Sequence, residues 1–186
     1  MGGNLCNASP CADLAPATLV FKGRLVLHGP KGERNVPAGA FFSGPGQSVA
    51  QADEVLTAIH YPLPPAGSAG RYLKLGRNKL GDLALVSVAV LGYPDAAAPS
   101  GYGFRIAVGS VAPVPLLVAE AGALLAEQTV GEDRFSLAAD KAVEAASPID
   151  DVRASAAYRC AMVRNLTQRG LRDVWRQLNA GQGRVA

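Results

Sequence analysis

Histidine is nearly missing from this chain, and His28 and His60 lie far apart. Cysteine is scarce and odd in number: Cys6, Cys11 and Cys160. Such a set offers no tetrahedral ligand group, and the Cys6 to Cys11 gap matches no common metal spacing, so no metal site is expected. Sparse thiols also argue against a disulfide framework and suit a reducing compartment. A dominant charge sign is lacking as well. The net charge of +3 falls well short of the dense basic face of a nucleic-acid binder. No apolar run reaches the roughly 18 residues that span a bilayer. The opening Met1-Gly2-Gly3-Asn4 does not have the charged and apolar regions of a secretory signal. The expectation is a cytoplasmic protein with no nucleic-acid partner and no membrane span. Gly-x-Ser-x-Gly elbow, Walker A loop and dinucleotide fingerprint are all missing, which leaves no nucleophile constellation to build on.

What is present is a chain whose 49% apolar residues suffice for a buried core. A short helix is expected over 13–17, with Asp13 as its N-cap. Residues 18–28 are apolar and β-prone, with Leu25, Val26 and Leu27 as a buried strand. Gly29-Pro30-Lys31-Gly32 reads as the turn of a hairpin that returns over 33–36. Phe41-Phe42 precedes a Gly44-Pro45-Gly46 loop, and 54–61 reads as another strand. Residues 62–70, rich in Pro, Gly and Ala, mark a domain boundary. Strands at 72–75, 83–91 and 104–108 then suit an antiparallel meander. From Pro115 the pattern turns helical through Leu116, Leu117, Ala119 and Leu125. A second helix fits 136–146, and a third begins after Asp150 or Asp151 and runs towards Leu178 with a break at Gly170. Strands followed by a block of helices predict an α+β class, with a three-stranded antiparallel sheet covered by about three helices over 67–178 and a flexible tail over 179–186.

Four pieces occur together in order. They are Gly2-Gly3-Asn4-Leu5-Cys6-Asn7-Ala8-Ser9-Pro10 with Ala12-Asp13, and Phe41-Phe42 and Gly44-Pro45-Gly46 with Asp53-Glu54-Val55-Leu56. Then come Tyr72-Leu73-Lys74 with Gly81-Asp82-Leu83-Ala84, and Pro148-Ile149-Asp150-Asp151-Val152-Arg153-Ala154-Ser155-Ala156-Ala157-Tyr158-Arg159. To about Gly170 the chain resembles the FAD-binding medium subunit of molybdenum hydroxylases, the xanthine dehydrogenase and carbon monoxide dehydrogenase family. The resemblance implies that 1–66 is the second part of a PCMH-type FAD-binding domain and 67–178 a flavoprotein C-terminal domain. It implies FAD as cofactor, electrons arriving from iron–sulfur clusters, and two partners: a molybdopterin-binding large subunit and an iron–sulfur small subunit. The family carries a further glycine-rich loop ahead of the Gly-Gly-Asn motif. The expectation is therefore an N-terminally truncated chain, completed by a separate chain or persisting as a folded interaction domain.

The same resemblance singles out Gly2, Gly3, Asn4, Asn7, Asp13, Ala50 and Lys74 as flavin-binding. Glycines let backbone N–H groups approach an anion with no Cβ in the way, and Asn4 adds an amide donor. Asp13 either accepts hydrogen bonds from ribityl or ribose hydroxyls or only caps its helix. Ala50, or its neighbour Val49, meets the isoalloxazine edge through its backbone. Lys74 lies beside the ring, where an ammonium favours the reduced, more negative flavin. Arg77 and Asp82 either orient Lys74 or pair on the surface. The Asp150-Asp151-Val152-Arg153 run starts and docks the long helix, and Tyr158 and Trp175 are expected to pack.

Overall fold

A computed structural model describes residues 1–78 and 81–182. The chain opens with two short helices, α1 (Gly2–Cys6) and α2 (Leu14–Val20). Strand β1 (Arg24–Gly29) follows and turns into β2 (Gly32–Pro37), and a 3-10 turn at Ala38–Ala40 leads to the small hairpin β3 (Phe42–Gly44) and β4 (Gln47–Ser48). Strand β5 (Val55–His60) joins β1 on the side opposite β2, all antiparallel. The hairpin turn has the φ of +100° at Gly32 that glycine adopts without strain.

The second part is built on β6 (Ala69–Leu75), β7 (Val86–Pro94) and β8 (Tyr102–Gly109), an antiparallel meander. A fourth strand, β9 (Leu116–Leu117), extends it. The three-stranded expectation thus gains one short strand, and Leu116 and Leu117 are not helical. The free edge of β8 recruits them through pairing with Val108 and Ala107, and Val118 N–H continues onto Ile106 O (2.8 Å). Helices α3 (Ala119–Glu127), α4 (Glu132–Ala145) and α5 (Ala156–Gln182) follow.

Side chains along β7 and β8 alternate between two destinations, as the two-residue period of a strand requires. Val86, Val88 and Val90 with Phe104, Ile106 and Val108 face α3–α5 and share one core with Leu125, Phe135, Val163, Leu171 and Val174. Ala89, Leu91 and Ala107 face the other way and join Leu5, Ala15, Leu19, Leu25, Leu27 and Phe41 in a second core. Fully burying one of the larger side chains contributes about 1.5–3 kcal/mol. The second face carries small residues at Ser87, Ala89, Ala107 and Gly109, where α2 lies close on it. A Cβ at Gly109 would stand 2.7 Å from Ser87 Oγ and 2.9 Å from Pro16 Cγ. Arg105 closes this contact by donating to Val20 O at the end of α2 (3.1 Å) while its guanidinium lies 4.8 Å above the Tyr93 ring. The two parts predicted on either side of 62–70 therefore share a core across the sheet.

Several boundaries differ from expectation. Residues 18–20 belong to α2, not to a strand, because Leu19 and Val20 reach the second core from a helix. Helix α5 begins at Ala156, whose N–H donates to Asp150 Oδ1 (2.7 Å), and it runs unbroken through Gly170. That glycine sits where the helix presses on the sheet: its Cβ would lie 3.0 Å from Val90 Cγ2. Residues 179–182 of the expected flexible tail are helical, and 183–186 lie outside the described residues. Trp175 packs edge-on against Tyr102 (4.8 Å between centroids), as expected of a packing residue. Tyr158 does not pack: it is 45% exposed, on the outer face of α5 opposite the buried seam of Val163, Thr167 and Leu171.

Among the described glycines the closest approach to backbone lies between α3 and β8, where a Cβ at Gly122 would stand 2.5 Å from the backbone oxygen of Phe104. We expect Gly122→Ala to lower unfolding stability by about 1–3 kcal/mol, measured by urea denaturation. Gly131→Ala, where a Cβ meets nothing within 4 Å among the described residues and the cost is that of a poorer N-cap for α4, should lose less, about 0.5–1 kcal/mol. An unchanged midpoint in Gly122→Ala would show that α3 does not approach β8 this closely.

Candidate functional site

The sequence places Asp13 and Lys74 far apart; the fold joins them. Tyr72 and Lys74 are two residues apart on β6, so both project to the α2 side, while Leu73 between them is buried and would touch a side chain at Gly170. Asp13, directly before α2, accepts from Lys74 Nζ at 2.7 Å and from the Tyr72 hydroxyl at 3.2 Å. The ion pair is partly open to solvent, with side-chain exposures of 28% for Lys74 and 43% for Asp13. A pair of this exposure contributes no more than about 1 kcal/mol to stability, so it is weak as a structural device. Burial, reinforced by the Asp13 charge, pushes the Tyr72 hydroxyl well above its ordinary pKa, which keeps it a neutral donor.

Asp13 does not cap α2. Its backbone is already helical (φ −64°, ψ −31°) and its side chain makes no capping bond. The cap is Asn4, whose Oδ1 accepts from Leu14 N–H at 3.1 Å. This frees the Asp13 carboxylate for Lys74 and Tyr72 and leaves the Asn4 amide group as an exposed donor. Gly2 and Gly3 form the first turn of α1 and not an extended loop. A Cβ on Gly3 would meet nothing within 4 Å among the described residues, and one on Gly2 only Leu56 Cδ2 at 3.7 Å. The protein's own packing therefore does not demand glycine at position 3, and the backbone there faces open space. Asn7 is exposed and ends α1, its N–H donating to Gly3 O (3.0 Å).

Ala50 lies in a separate, stiffened segment. Arg34 on β2 forks onto Glu54, Nε to Oε1 at 2.6 Å and the second nitrogen to Oε2 at 2.7 Å, and also donates to Val49 O at 2.7 Å. Glu54 in turn accepts from Gln51 N–H (2.8 Å), while Val49 N–H donates to Phe41 O (2.9 Å). Ala50 N–H points to Ser48 Oγ at 3.4 Å. The Arg34 guanidinium holds the Glu54 carboxyl down at about 2. Gly46 N–H donates to Ala8 O (2.9 Å), which ties the hairpin to the end of α1, and Val49 and Ala50 pack on the core that holds Leu5 and Ala8. The structure therefore joins Asp13 and Lys74 directly, ties Asn4 to the neighbouring Leu14, and, among the described residues, relates Ala50 to them through that core. The Arg34–Glu54 clamp and Tyr72 were not singled out from the sequence. Arg34 and Glu54 meet across β1, with no spacing signal to find them.

Arg77 and Asp82 pair at 3.4 Å and share with Lys74 a hollow of about 360 Å³. Asp82 also accepts from the N–H groups of Asn78 and Leu83 and is held at about 2 by Arg77. It closes its own loop and does not touch Lys74. Further along, Asp151 does not start α5 but sits between two guanidinium groups, those of Arg153 (2.6 Å) and Arg159 (2.9 Å). Arg159, buried, donates onward to Leu85 O (2.6 Å), which docks α5 onto the strand layer.

Residues 71–174 match the model of the CO dehydrogenase flavoprotein C-terminal domain, and residues 1–64 that of the FAD binding domain in molybdopterin dehydrogenase. The carbon monoxide dehydrogenase medium chain of Hydrogenophaga pseudoflava is 31% identical over 175 residues, covering 94% of this chain and 60% of the relative. The xanthine dehydrogenase FAD-binding subunit of Escherichia coli O157:H7 is 28% identical over 169 residues, 90% of this chain and 57% of the relative. Among solved structures, carbon monoxide dehydrogenase from Hydrogenophaga pseudoflava superposes with a TM-score of 0.88 at 32% identity, over 95% of this chain and 60% of that one. Quinoline 2-oxidoreductase from Pseudomonas putida 86 gives 0.83 at 25% identity, over 93% and 59%. The chain thus spans about 60% of the carbon monoxide dehydrogenase medium chain.

The clamp on the Ala50 segment has a pH signature. Glu54 is depressed to about 2 in the folded protein, against about 4.3 in an unfolded chain. The unfolded state then binds more protons across that window, so the stability from Glu54 is complete above it and is lost as pH falls. Urea midpoints taken from pH 6 to pH 3 should fall less steeply in Glu54→Gln than in the parent chain. Equal slopes would mean that the Arg34–Glu54 fork does not form.

Proposed function

The chain belongs to the family of the CO dehydrogenase flavoprotein C-terminal domain, joined to a FAD binding domain of molybdopterin dehydrogenases, and on that footing we propose that it is a FAD-carrying electron-transfer subunit of a molybdenum hydroxylase-type oxidoreductase. The observation that carries this reading is the Asp13–Lys74–Tyr72 cluster, which joins the start of α2 to β6, with Asn4 bonded to the adjacent Leu14 and the backbone of Gly3 uncovered. The donor set suits a flavin dinucleotide: backbone N–H groups and an amide for anionic or carbonyl oxygens, a carboxylate for hydroxyl groups, and an ammonium for developing negative charge.

In this reading FAD, when bound, supplies the redox chemistry, and the protein supplies position and electrostatics. Gly2 and Gly3 with Asn4 hold the dinucleotide through backbone and amide donors, and Asn7 borders them. Asp13 takes hydroxyl hydrogens. Lys74 places its charge beside the ring, held there by Asp13, while the Val49–Ala50 backbone, kept rigid by Arg34, lines the ring edge. We take 1–66 as the second part of the FAD-binding domain and 67–178 as the flavoprotein C-terminal domain. The ranges of the two family matches and the irregular 61–68 stretch support this division. The partners in this proposal are a molybdopterin-binding large subunit and an iron–sulfur small subunit. Among the described residues no helix is long and apolar enough to cross a membrane, and a cytoplasmic location fits.

The reading is tested by titrating FAD and following flavin fluorescence, with the chain alone and with the complementary segment of the Hydrogenophaga pseudoflava medium chain added. Saturable quenching in either case supports a flavin subunit. Its absence in both would leave only a folded interaction domain. In the assembled complex, Lys74→Met should lower the flavin potential by tens of millivolts, about 30 mV for each 1.4 kcal/mol in a two-electron couple. An unchanged potential would remove Lys74 from the ring's surroundings.

A further inference from the structure

A cavity of about 460 Å³ opens between the Pro10–Cys11 segment, Leu83, the stretch after β8 and the turn before α5. It serves no role in the flavin reading and does not depend on it. Its walls are apolar, with Pro45, Leu83, Pro113 and Ile149 among them. Its floor is charged. Arg153 and Arg159 set two guanidinium groups against the single carboxylate of Asp151, which leaves one positive charge. The next carboxylate, Asp150, is turned to the N–H of Ala156.

Arg159 is only 2% exposed, and its terminal nitrogens are committed to Leu85 O, Ser110 O and Asp151. Its Nε, however, is buried without a hydrogen-bond partner among the described residues, and so is the Oγ of Ser110, a residue that lines the same cavity. Buried donors are costly to leave unpaired, and these two belong to residues that line one cavity and find no acceptor among the described residues. A volume within about 300–1,000 Å³, apolar walls and a few convergent polar groups are the features of a small-molecule site. A net single positive charge suits a monoanion, and guanidinium donors match the planar pair of carboxylate oxygens.

We propose that this cavity binds a small carboxylate with an apolar body, the carboxylate set on the Arg159–Arg153–Ser110 floor and the body against Leu83, Pro113 and Ile149. Benzoate is the probe, titrated into the isotopically labelled chain and followed by amide chemical shifts, with benzyl alcohol as the uncharged counterpart. Benzoate should saturate one site, with shifts confined to the surroundings of Leu83, Ser110 and Ile149, and benzyl alcohol should bind at least roughly tenfold more weakly. Ser110→Gly removes the hydroxyl at a position whose φ of +67° glycine adopts freely, so its fold should be kept while benzoate weakens by roughly three- to tenfold. Ala112→Phe fills the cavity and should abolish binding. Should it lower the melting temperature, Leu83→Trp, from an exposed rim position, gives the same block. The proposal fails if benzoate does not saturate by about 10 mM, a concentration that would detect even millimolar affinity. It fails equally if benzyl alcohol binds as well as benzoate, or if a folded blocking variant binds unchanged.

Discussion

The close approach of α2 to one face of the β6–β9 sheet is the contact on which the rest depends. It requires small residues where the helix lies and large ones on the opposite face. The chain meets this with Ser87, Ala89, Ala107 and Gly109 on one side, and Val86, Val88, Val90 and Ile106 on the other. Larger residues on the α2 side would push the helix outward and carry Asp13 with it. The separation of Asp13 from Lys74, 2.7 Å between charged atoms, is therefore set by packing in the sheet and not by the ion pair itself. A half-exposed pair could not offset the displacement of a buried helix.

That order of strengths also explains why two neighbouring segments are fixed by different means. The Asp13 end rests on apolar burial and on Asn4, which takes over the cap. The Val49–Ala50 segment has little core of its own and is held by polar groups, with Arg34 and Glu54 bonded to each other and to the backbone on both sides of Ala50. A segment that must present its backbone cannot be pinned through its side chain, and Ala50 offers none to pin.

Much of this was legible from local pattern. Leu25, Val26 and Leu27, the Gly29–Gly32 turn, the strand at 55–60 and the meander are apolar, β-prone runs or carry unambiguous turn chemistry. Thr18 and Val20 misled because β-branched residues favour strands, yet burial in the second core selects a helix. Leu116 and Leu117 misled in the opposite sense: good helix formers became a strand because β8 offered an unpaired edge. In the candidate site, Asp13 and Lys74 were both identified, but their mutual bond spans 61 residues and no periodicity encodes it. The capping roles were exchanged for the same reason. Asn4 and Asp13 are both competent caps, and only the position of Lys74 decides which carboxylate or amide is free to act.

The Asp151–Arg159 cluster shows how a motif can be structural and still leave a site behind. Docking α5 on the strand layer needed a buried donor for Leu85 O, and an arginine supplies more donors than that task uses. Asp151 offsets part of the charge and the carbonyl of Ser110 takes another hydrogen, yet among the described residues Arg159 Nε and the Ser110 hydroxyl both stay unpaired. An apolar residue at position 159 could have filled the space but could not have satisfied the Leu85 carbonyl. The requirement for one buried hydrogen bond thus places a surplus of positive charge at the floor of an apolar cavity, and that surplus is what a carboxylate would answer.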